Sequence, residues 1–396
     1  ERLVGAPSGA TRFVPRSRLK PLLQYNGAMS AASQDVTAAG LLDGLAAIVG
    51  ASHVLTDDAS RTFYSTDVFR QADVLAAAKV IRGRADGTPL VPSQIPGLGQ
   101  EMLLKLETTQ PMGAFKLRGA LTALAALPPD APGVVCCSTG NHGRAIAYAA
   151  REMGLRAVVC MSALVPAAKV AGIRALGAEV RIIGRSQDDA AKESRALVAT
   201  EGLVETPPFD DARVIAGQGT IGLELLAARP DLSTLLLPLS GGGLAAGVAL
   251  AAKAIKPGLR VIGISMERGA AMQASIAAGH PVAVTEYPSL ADSLGGGIGL
   301  QNRLTLALCR DLLDEVVLVD EVAIRDAMQA LFFHDRMVAE GSAVVGLAAV
   351  MTGAVRLGGP AATILTGRNT DMTSFADIVA GRDLQIGDIF LKGRPY

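Results

Sequence analysis

The stretch "LLLPLSGGGLAAGVALAA", residues 235–252, carries the pattern that decides the fold. A short apolar run leads into three consecutive glycines, Gly241 to Gly243, and an alanine-rich segment with helical spacing follows. Nearly continuous apolar sequence of this length is typical of a strand that is buried on both of its faces. The stretch therefore predicts a buried strand, a tight glycine turn and a helix, which is the repeating unit of an α/β fold.

The same alternation extends over the chain from about residue 80. Strands are predicted at Val134–Cys137, Ala157–Met161, Val180–Ile183, Leu235–Leu239, Val261–Ser265, Val316–Val319 and Ala362–Leu365. Helices are predicted at 143–153, 167–176, 188–200, 217–228, 243–255 and 342–356. Alternation of this kind predicts parallel sheets with helices on both faces.

Residues 1–80 do not share this alternation. Residues 1–34 are irregular and lean basic, while residues 35–80 predict a helix around Leu41–Val49 and a polar turn at 56–58. The stretch 45–74 resembles the start of flavin-dependent D-lactate dehydrogenases, but nothing that resembles their flavin domain follows it. We therefore expect residues 1–80 to be an appended segment of unclear role.

The composition argues against several classes of function. Half of the 396 residues are hydrophobic, enough for a large core, and Lys+Arg and Asp+Glu both number 37, unlike the basic excess of a nucleic-acid binder. No apolar run reaches the ~20 residues of a membrane-spanning helix, and the N-terminus shows no secretory signal. The spacing of the cysteines fits neither a metal site nor a disulfide framework: Cys136, Cys137, Cys160 and Cys309. The sequence thus predicts a cytoplasmic protein with reduced thiols and without nucleic-acid or membrane partners.

Ligands of open parallel sheets bind beyond the carboxyl ends of the strands, and three predicted loops lie there. The first loop, in "CCSTGNHGRAIAYAA" at 136–150, opens a helix whose free N–H groups favour an anion such as a carboxylate, although an ordinary helix cap explains the same residues. The second loop, Ser240 to Leu244, has glycines that let the backbone approach a phosphate. The third, in "TILTGRNTDM" at 363–372, could direct the hydroxyl of Thr366 into the same cleft.

The second loop also fits the dinucleotide fingerprint, with Glu267 near the place of a ribose-binding acid. That fingerprint usually lies on the first strand of its domain, whereas this loop lies deep in the chain. A phosphate is therefore favoured over a dinucleotide, and a nicotinamide-dependent oxidoreductase remains an alternative of a different class.

A single lysine follows an aromatic residue in "TTQPMGAFKLRGA", residues 108–120. Lys116 is either a solvated surface charge or an amine that is used chemically, since burial favours the neutral form that attacks carbonyls. A Schiff-base lysine, a phosphate loop and polar groups for a ring together suit pyridoxal phosphate. Arg118, two residues later, is expected to form a structural ion pair.

Residues 81–385 resemble the fold type II pyridoxal-phosphate enzymes, specifically the serine/threonine dehydratase group. The resemblance runs in order through "TPLVPS", "LKLETTQPMGAFKLRGA", "STGNHGRAIAYAA", "KVAGIRALGAEV", "VIAGQGTIGLEL", "LPLSGGGLAAGVA" and "LTGRNTDM". Within this group, "SLADSLGGGIGL" at 289–300 and "LTGRNTDM" at 365–372 most resemble the dehydratases of hydroxyectoine utilisation.

The resemblance implies an α/β fold like that of the tryptophan synthase β chain, with two open twisted sheets flanked by helices. It places residues 81–130 and 213–396 in a large cofactor-binding domain and residues 131–212 in a small domain. Homodimerisation is a further expectation from the family.

The resemblance also implies roles for the residues of the three loops. Lys116 would hold pyridoxal 5'-phosphate covalently and later take the α-proton of the substrate. The ring would contact Phe115, Asn141 at its 3-hydroxyl and Thr366 at its nitrogen, and the phosphate would bind the backbone of Gly241, Gly242, Gly243 and Leu244. The substrate carboxylate would bind Ser138, Thr139, Gly140 and His142.

The implied reaction removes water and then ammonia from a β-hydroxy amino acid, to give an imine and then a keto acid. Serine, threonine, β-hydroxyaspartate and a hydroxylated diaminobutyrate derivative all remain open as substrates. An amino acid racemase on the same fold is an alternative, although this chain has Thr139 where related serine racemases have a serine. No metal is expected, because Gln273 stands near a position where metal-binding relatives have an aspartate, while Glu267 fits their first ligand. Glu340 lies where the family often has an acid near the cofactor.

Overall fold

The computed structural model describes residues 10–13, 71–98, 102–138, 140–165 and 167–396. Its strands are β1 (Ala10–Phe13), β2 (Leu90–Pro92), β3 (Met102–Leu106), β4 (Val134–Cys137), β5 (Ala157–Met161), β6 (Glu179–Ile182), β7 (Val204–Glu205), β8 (Thr234–Pro238), β9 (Arg260–Met266), β10 (Glu315–Val319), β11 (Ala361–Leu365), β12 (Leu384–Ile386) and β13 (Ile389–Leu391). Its α-helices are α1 (71–80), α2 (Lys116–Ala125), α3 (Asn141–Met153), α4 (Ala167–Ala175), α5 (Gln187–Glu201), α6 (Ala212–Ala228), α7 (Gly243–Ile255), α8 (Ala271–Ala278), α9 (Thr305–Leu312), α10 (Glu321–Ala330), α11 (Val345–Met351) and α12 (Met372–Val379).

Two open sheets organise most of these elements, and β12 and β13 form a separate antiparallel pair. The larger sheet has the order β1-β10-β9-β8-β11-β3-β2, and the smaller has the order β6-β5-β4-β7. All strands of the smaller sheet are parallel, as is the centre of the larger one, whereas β1 and β2 pair antiparallel at its two edges. The fold is therefore α/β with helices flanking a mixed and a parallel sheet; the predicted strands pair parallel with one another, and the antiparallel edge strands β1 and β2 were not predicted.

Most of the predicted strands form within one or two residues of the predicted bounds. β4 and β5 match end to end, and the strands of the smaller sheet all lie within residues 131–212. The last predicted helix is wrong in extent, because residues 341–343 form a 3₁₀ turn and α11 begins only at Val345. The predictions at 41–49 and 56–58 lie outside the described residues.

Close helix packing joins the helix that carries Lys116 to α6, and α6 to α7. Glycines on α6 let it approach both α2 and α7: a Cβ on Gly217 would lie 2.6 Å from the Cα of Gly119, and one on Gly219 would lie 2.9 Å from the carbonyl oxygen of Gly247. Helix α1 adds to this layer, since its buried residue Val74 contacts α6. Residues 71–80 therefore form part of the helical layer.

The cysteines behave as buried side chains. Cys136, Cys160 and Cys309 are buried, and no disulfide joins the cysteines of the described residues. Burial raises the pKa of the Cys160 thiol to about 12, which keeps it protonated at neutral pH.

Candidate active site

The three loops that the sequence analysis selected meet in one cavity of about 360 Å³. They follow β4, β8 and β11, so the cavity lies beyond the carboxyl ends of strands from both sheets. The predicted residues that line it are Phe115, Lys116, Ser138, Gly140, Asn141, His142, Gly241, Gly242, Gly243, Leu244 and Thr366. Thr139 lies outside the described residues.

Lys116 begins α2, and the turn before it is fixed by the third loop. The N–H of Phe115 donates to the carbonyl of Thr366 at 2.9 Å, and the N–H of Arg368 donates to the carbonyl of Gly113 at 3.0 Å. Gly113 has φ +81°, in the left-handed region that favours glycine. The lysine is thus positioned by residues about 250 places away in the sequence, which pattern analysis cannot detect.

The amine of Lys116 is tuned towards its neutral form. Burial lowers the pKa of Lys116 to about 8, while the negative charge of Glu340 opposes this shift. Its Nζ donates to the carbonyl of Pro208 at 2.7 Å. A lysine with this pKa has a much larger neutral fraction at pH 7 than an exposed one, as a carbonyl-attacking amine requires.

The glycine loop forms a cradle that side chains would fill. Gly242 has φ +87° and N-caps α7. A Cβ on Gly241 would overlap the ring of Phe209, and one on Gly243 would lie 2.9 Å from the Cα of the same residue. The backbone at the start of α7 therefore stays open to an anion, and the N–H groups at a helix start suit a phosphate.

His142 is buried and neutral. Its Nε2 lies 2.8 Å from the carbonyl oxygen of Thr206, which can only accept, so this nitrogen carries the proton. Burial lowers the pKa of His142 to about 3, with a further contribution from the positive charge of Lys116. At neutral pH the ring therefore adds no positive charge for a bound carboxylate.

Asn141 links the first loop to two residues that lie far from it in the sequence. Its Nδ2 lies 3.0 and 3.1 Å from the two carboxylate oxygens of Glu340, and its Oδ1 accepts from Asn369 Nδ2 at 2.7 Å. Burial raises the pKa of Glu340 to about 7, although the hydrogen bond from Asn141 opposes this. Glu340 thus lines the cavity as the family expectation placed it.

Two hydroxyl groups in the cavity wall have no hydrogen-bond partner among the described residues. The oxygens of Thr366 and Ser342 are buried and make no hydrogen bond with the described part of the chain. Such groups in a native site usually face a ligand or water. The unpartnered Thr366, the open glycine cradle and the buried amine fit the ring nitrogen, the phosphate and the aldehyde carbon of pyridoxal phosphate.

Arg118 has the structural role that was expected. It is fully buried and pairs with Glu107 at 2.7 Å and with Glu224 at 2.6 Å. This ion-pair network joins α2 to α6 and to the turn after β3, and so holds the helix that carries Lys116.

Sequence reasoning missed several residues that line the cavity. These are Lys169, Pro208, Phe209, Pro238, Asp292, Ser293 and Ser342. Asp292 and Ser293 lie within the quoted stretch "SLADSLGGGIGL", which could have marked them, whereas nothing local distinguishes Lys169 or Phe209.

Glu267 is partly buried, and burial and the nearby Asp320 raise its pKa. Among the described residues, no group of three or more His, Cys, Asp or Glu side chains could hold a metal ion. In the same part of the chain, no helix has both the length and the apolar character needed to span a membrane.

A reactive lysine, a phosphate cradle and a partner for a ring nitrogen define the class of enzymes that bind pyridoxal phosphate. The chain belongs to the family of pyridoxal-phosphate dependent enzymes, because the model of that family matches residues 81–367. It has the type II fold of that family and is a lyase of the threonine dehydratase-like group. This membership decides against the nicotinamide-dependent alternative.

Known relatives agree with this assignment. A putative threonine dehydratase of Sinorhizobium fredii is 55% identical over 286 residues, which cover 72% of this chain and 86% of the relative. An L-threonine ammonia-lyase of Thermotoga maritima is 35% identical and covers 82% of each chain. The structure of processed threonine deaminase isoform 2 from Solanum lycopersicum matches with a TM-score of 0.73 and 30% identity, over 79% of this chain and 92% of that one.

Proposed function

We propose that the protein is a dehydratase and ammonia-lyase that converts a threonine- or serine-like β-hydroxy amino acid into an imine and then a keto acid. The observation that carries the proposal is the joining of four features in one cavity: the amine of Lys116, the first loop, the glycine cradle and the unpartnered Thr366. The threonine dehydratases and ammonia-lyases among its relatives support the same reaction.

The residues of the cavity have different roles in the proposed reaction. When bound, pyridoxal phosphate withdraws electrons from the α-carbon of the amino acid. Lys116 would hold the cofactor, and its free amine would take the α-proton of the substrate as a general base, a role that its lowered pKa favours. The start of α3 holds the substrate carboxylate through backbone N–H groups, while the neutral His142 adds no competing charge.

Thr366 supports elimination over other outcomes. Its hydroxyl is neutral, so it does not keep a ring nitrogen protonated as a carboxylate would. With such a partner the ring would accept less negative charge from the α-carbon, which would favour elimination of water over other outcomes.

We further propose that the substrate is an amino acid derived from hydroxyectoine, such as a hydroxylated diaminobutyrate derivative. Residues 292–295 line the cavity, and Gly295 adds no side chain to it, which leaves room for a substrate larger than threonine. Asp292 adds a carboxylate that can attract a second amino group.

A substrate panel tests both levels of the proposal. The holoenzyme is assayed for keto-acid and ammonia formation with serine, threonine, β-hydroxyaspartate and free or acylated hydroxylated diaminobutyrates, and Lys116→Ala serves as the inactive control. We expect the diaminobutyrate series to give the highest kcat/KM, and Asp292→Asn to lower kcat/KM more for substrates with a free second amino group than for serine. Fastest turnover of serine or threonine would contradict the finer assignment and leave the reaction class intact.

Chiral analysis of the remaining amino acid separates elimination from racemisation. A mixture of enantiomers without keto acid would favour the racemase alternative, in which Thr139 would act as the second acid. Keto acid with unchanged chirality of the remaining substrate supports the lyase.

The surrounding organisation completes the proposal. We propose that the two sheets belong to a small domain, residues 131–212, and a large cofactor-binding domain, residues 81–130 and 213–396. We also propose a cytoplasmic homodimer, which size-exclusion chromatography with light scattering would test.

A further inference from the structure

A chain of hydrogen bonds crosses the cavity wall from the lysine segment to Glu340. Asn369 Nδ2 donates to the carbonyl of Met112 at 3.0 Å and to Asn141 Oδ1 at 2.7 Å. Asn141 Nδ2 then donates to the carboxylate of Glu340. The chain thus joins the segment before Lys116, the first loop, the third loop and residue 340.

The direction of these bonds is fixed at one end. The carbonyl of Met112 can only accept, so Asn369 must turn its NH₂ group towards it. The same NH₂ group also donates to Asn141, so the side-chain oxygen of Asn141 must be the acceptor. The NH₂ group of Asn141 therefore points towards Glu340. A backbone carbonyl next to Gly113 thereby decides which end of the Asn141 amide faces a carboxylate.

The surroundings of these groups are shaped to hold them. A Cβ on Gly113 would lie 2.9 Å from Asn369 Oδ1, and a Cβ on Gly367 would lie 2.6 Å from Glu340 Oε1. Glycine at both positions makes room for the two polar side chains. The N–H of Glu340 also donates to the carbonyl of Gly367 at 3.1 Å, which fixes the acid on the third loop.

We propose that Asn369 is a positioning residue, which orients the amide of Asn141 and so keeps a hydrogen-bonded carboxylate at Glu340 in the cavity that it shares with Lys116. The inference rests on the proposed roles of Lys116 and Asn141 at the cofactor, but not on the identity of the substrate. The catalytic residues Lys116 and Asn141 act directly, and Asn369 acts through them.

The groups around Glu340 determine whether the loss of Asn369 raises or lowers the pKa of Glu340. Burial raises the pKa of Glu340 to about 7, and the charge of Asp292 acts in the same direction, whereas the hydrogen bond from Asn141 and the charges of Lys169 and Lys116 oppose the shift. Without Asn369 the Asn141 amide is free to turn, and the loss of its hydrogen bond raises the pKa of Glu340 further. Because Glu340 then keeps its proton to higher pH, it stabilises the protonated amine of Lys116 less.

Infrared titration of the holoenzyme tests the proposal without substrate. The carbonyl stretch of a protonated carboxylic acid is followed against pH and assigned to Glu340 by its loss in Glu340→Gln. We expect Asn369→Asp and Asn369→Ala to raise the midpoint by about one pH unit, the size of one hydrogen bond to a charged group. The two variants differ in volume and charge, so one remains informative if the other fails to fold.

Asn302 provides a matched control outside the cavity. Its Nδ2 likewise donates to a backbone carbonyl, of Ile298 at 3.1 Å, and to a side-chain oxygen, of Thr305 at 2.7 Å. Asn302→Asp should leave the Glu340 midpoint unchanged. A midpoint that stays at the wild-type value in both Asn369 variants, or that moves equally in Asn302→Asp, overturns the proposal. Failure of the proposed dehydration would be seen separately in the turnover assay, because the titration needs no substrate.

Discussion

Replacing Arg118 with methionine should destabilise the protein far more than the same change at a surface arginine. The guanidinium of Arg118 is fully buried and donates to both oxygens of Glu107, at 2.9 and 2.7 Å, and to both oxygens of Glu224, at 2.6 and 3.0 Å. Methionine fills much of the same volume but leaves the buried Glu107 without its cation. Lys105 does not replace it, because its amine is held by Glu224 and by the carbonyl of Thr88.

The expected loss of unfolding free energy follows from the burial of Glu107. Removing one partner of a buried ion pair costs about 3–5 kcal/mol, because the remaining charge stays away from water. Glu107 is fully buried and, among the described residues, keeps only the neutral donors Thr88 at 2.7 Å and Gln110 at 3.0 Å, so we expect Arg118→Met to lower the free energy of unfolding by an amount within this range. The double variant Arg118→Met/Glu107→Gln should recover at least half of it, since the unpaired charge is then absent.

Arg156 is the matched control. It also pairs with two carboxylates, Glu179 at 2.7 Å and Glu201 at 2.6 Å, but its side chain is 34% exposed. Solvent screens these two ion pairs, so Arg156→Met should lower the free energy of unfolding by less than about 1 kcal/mol.

Urea unfolding, followed by circular dichroism on cofactor-free protein, avoids the stabilisation that bound cofactor adds. Equal midpoints for Arg118→Met and Arg156→Met would refute the reasoning, as would a double variant less stable than Arg118→Met alone.

Three further predictions concern the cavity itself. Gly241→Ala should weaken pyridoxal phosphate binding at least tenfold by spectrophotometric titration, because its Cβ would overlap the ring of Phe209 and displace the loop; an unchanged affinity would contradict the cradle. Thr366→Val should weaken cofactor binding but leave the melting temperature of cofactor-free protein unchanged or higher, since the hydroxyl has no partner in the described residues; a lower melting temperature would count against that geometry. His142, with its pKa lowered to about 3 and its proton directed at Thr206, should show no titration between pH 5 and 8 in ¹⁵N NMR, and a midpoint near 6.5 would refute its burial as a neutral ring.

The elements that the sequence predicted best are those whose signal is local. β4 and β5 consist of uninterrupted apolar residues and were predicted end to end, because burial on both faces leaves no other pattern. β3 was missed although all five of its residues are buried, since Lys105 interrupts the apolar run. The partner that makes this lysine tolerable, Glu224, lies 119 residues away.

The helix that begins at Lys116 was not predicted from the sequence, for a related reason. It carries Gly119 in its interior, which lowers helix propensity and reads as a turn. The structure explains the glycine, because a Cβ there would overlap the side-chain amide of Gln218 on α6. The individual loops could thus be found from sequence, whereas the contacts of Asn369 and Glu340 depend on distant pairing that a single sequence does not reveal.

The charge balance of the cavity indicates how the phosphate is held. Among the described residues that line it, Lys116 and Lys169 are the only lysines or arginines, and Asp292 and Glu340 offset their charge. Under the proposed role of Lys116 at the cofactor aldehyde, the backbone N–H groups and the dipole at the start of α7 would supply most of the attraction for phosphate. Lys169→Ala should therefore change cofactor affinity little compared with Gly241→Ala, and that affinity should depend only weakly on salt. A Lys169 variant that loses affinity as strongly as the glycine variant would show that charge, and not backbone geometry, holds the phosphate.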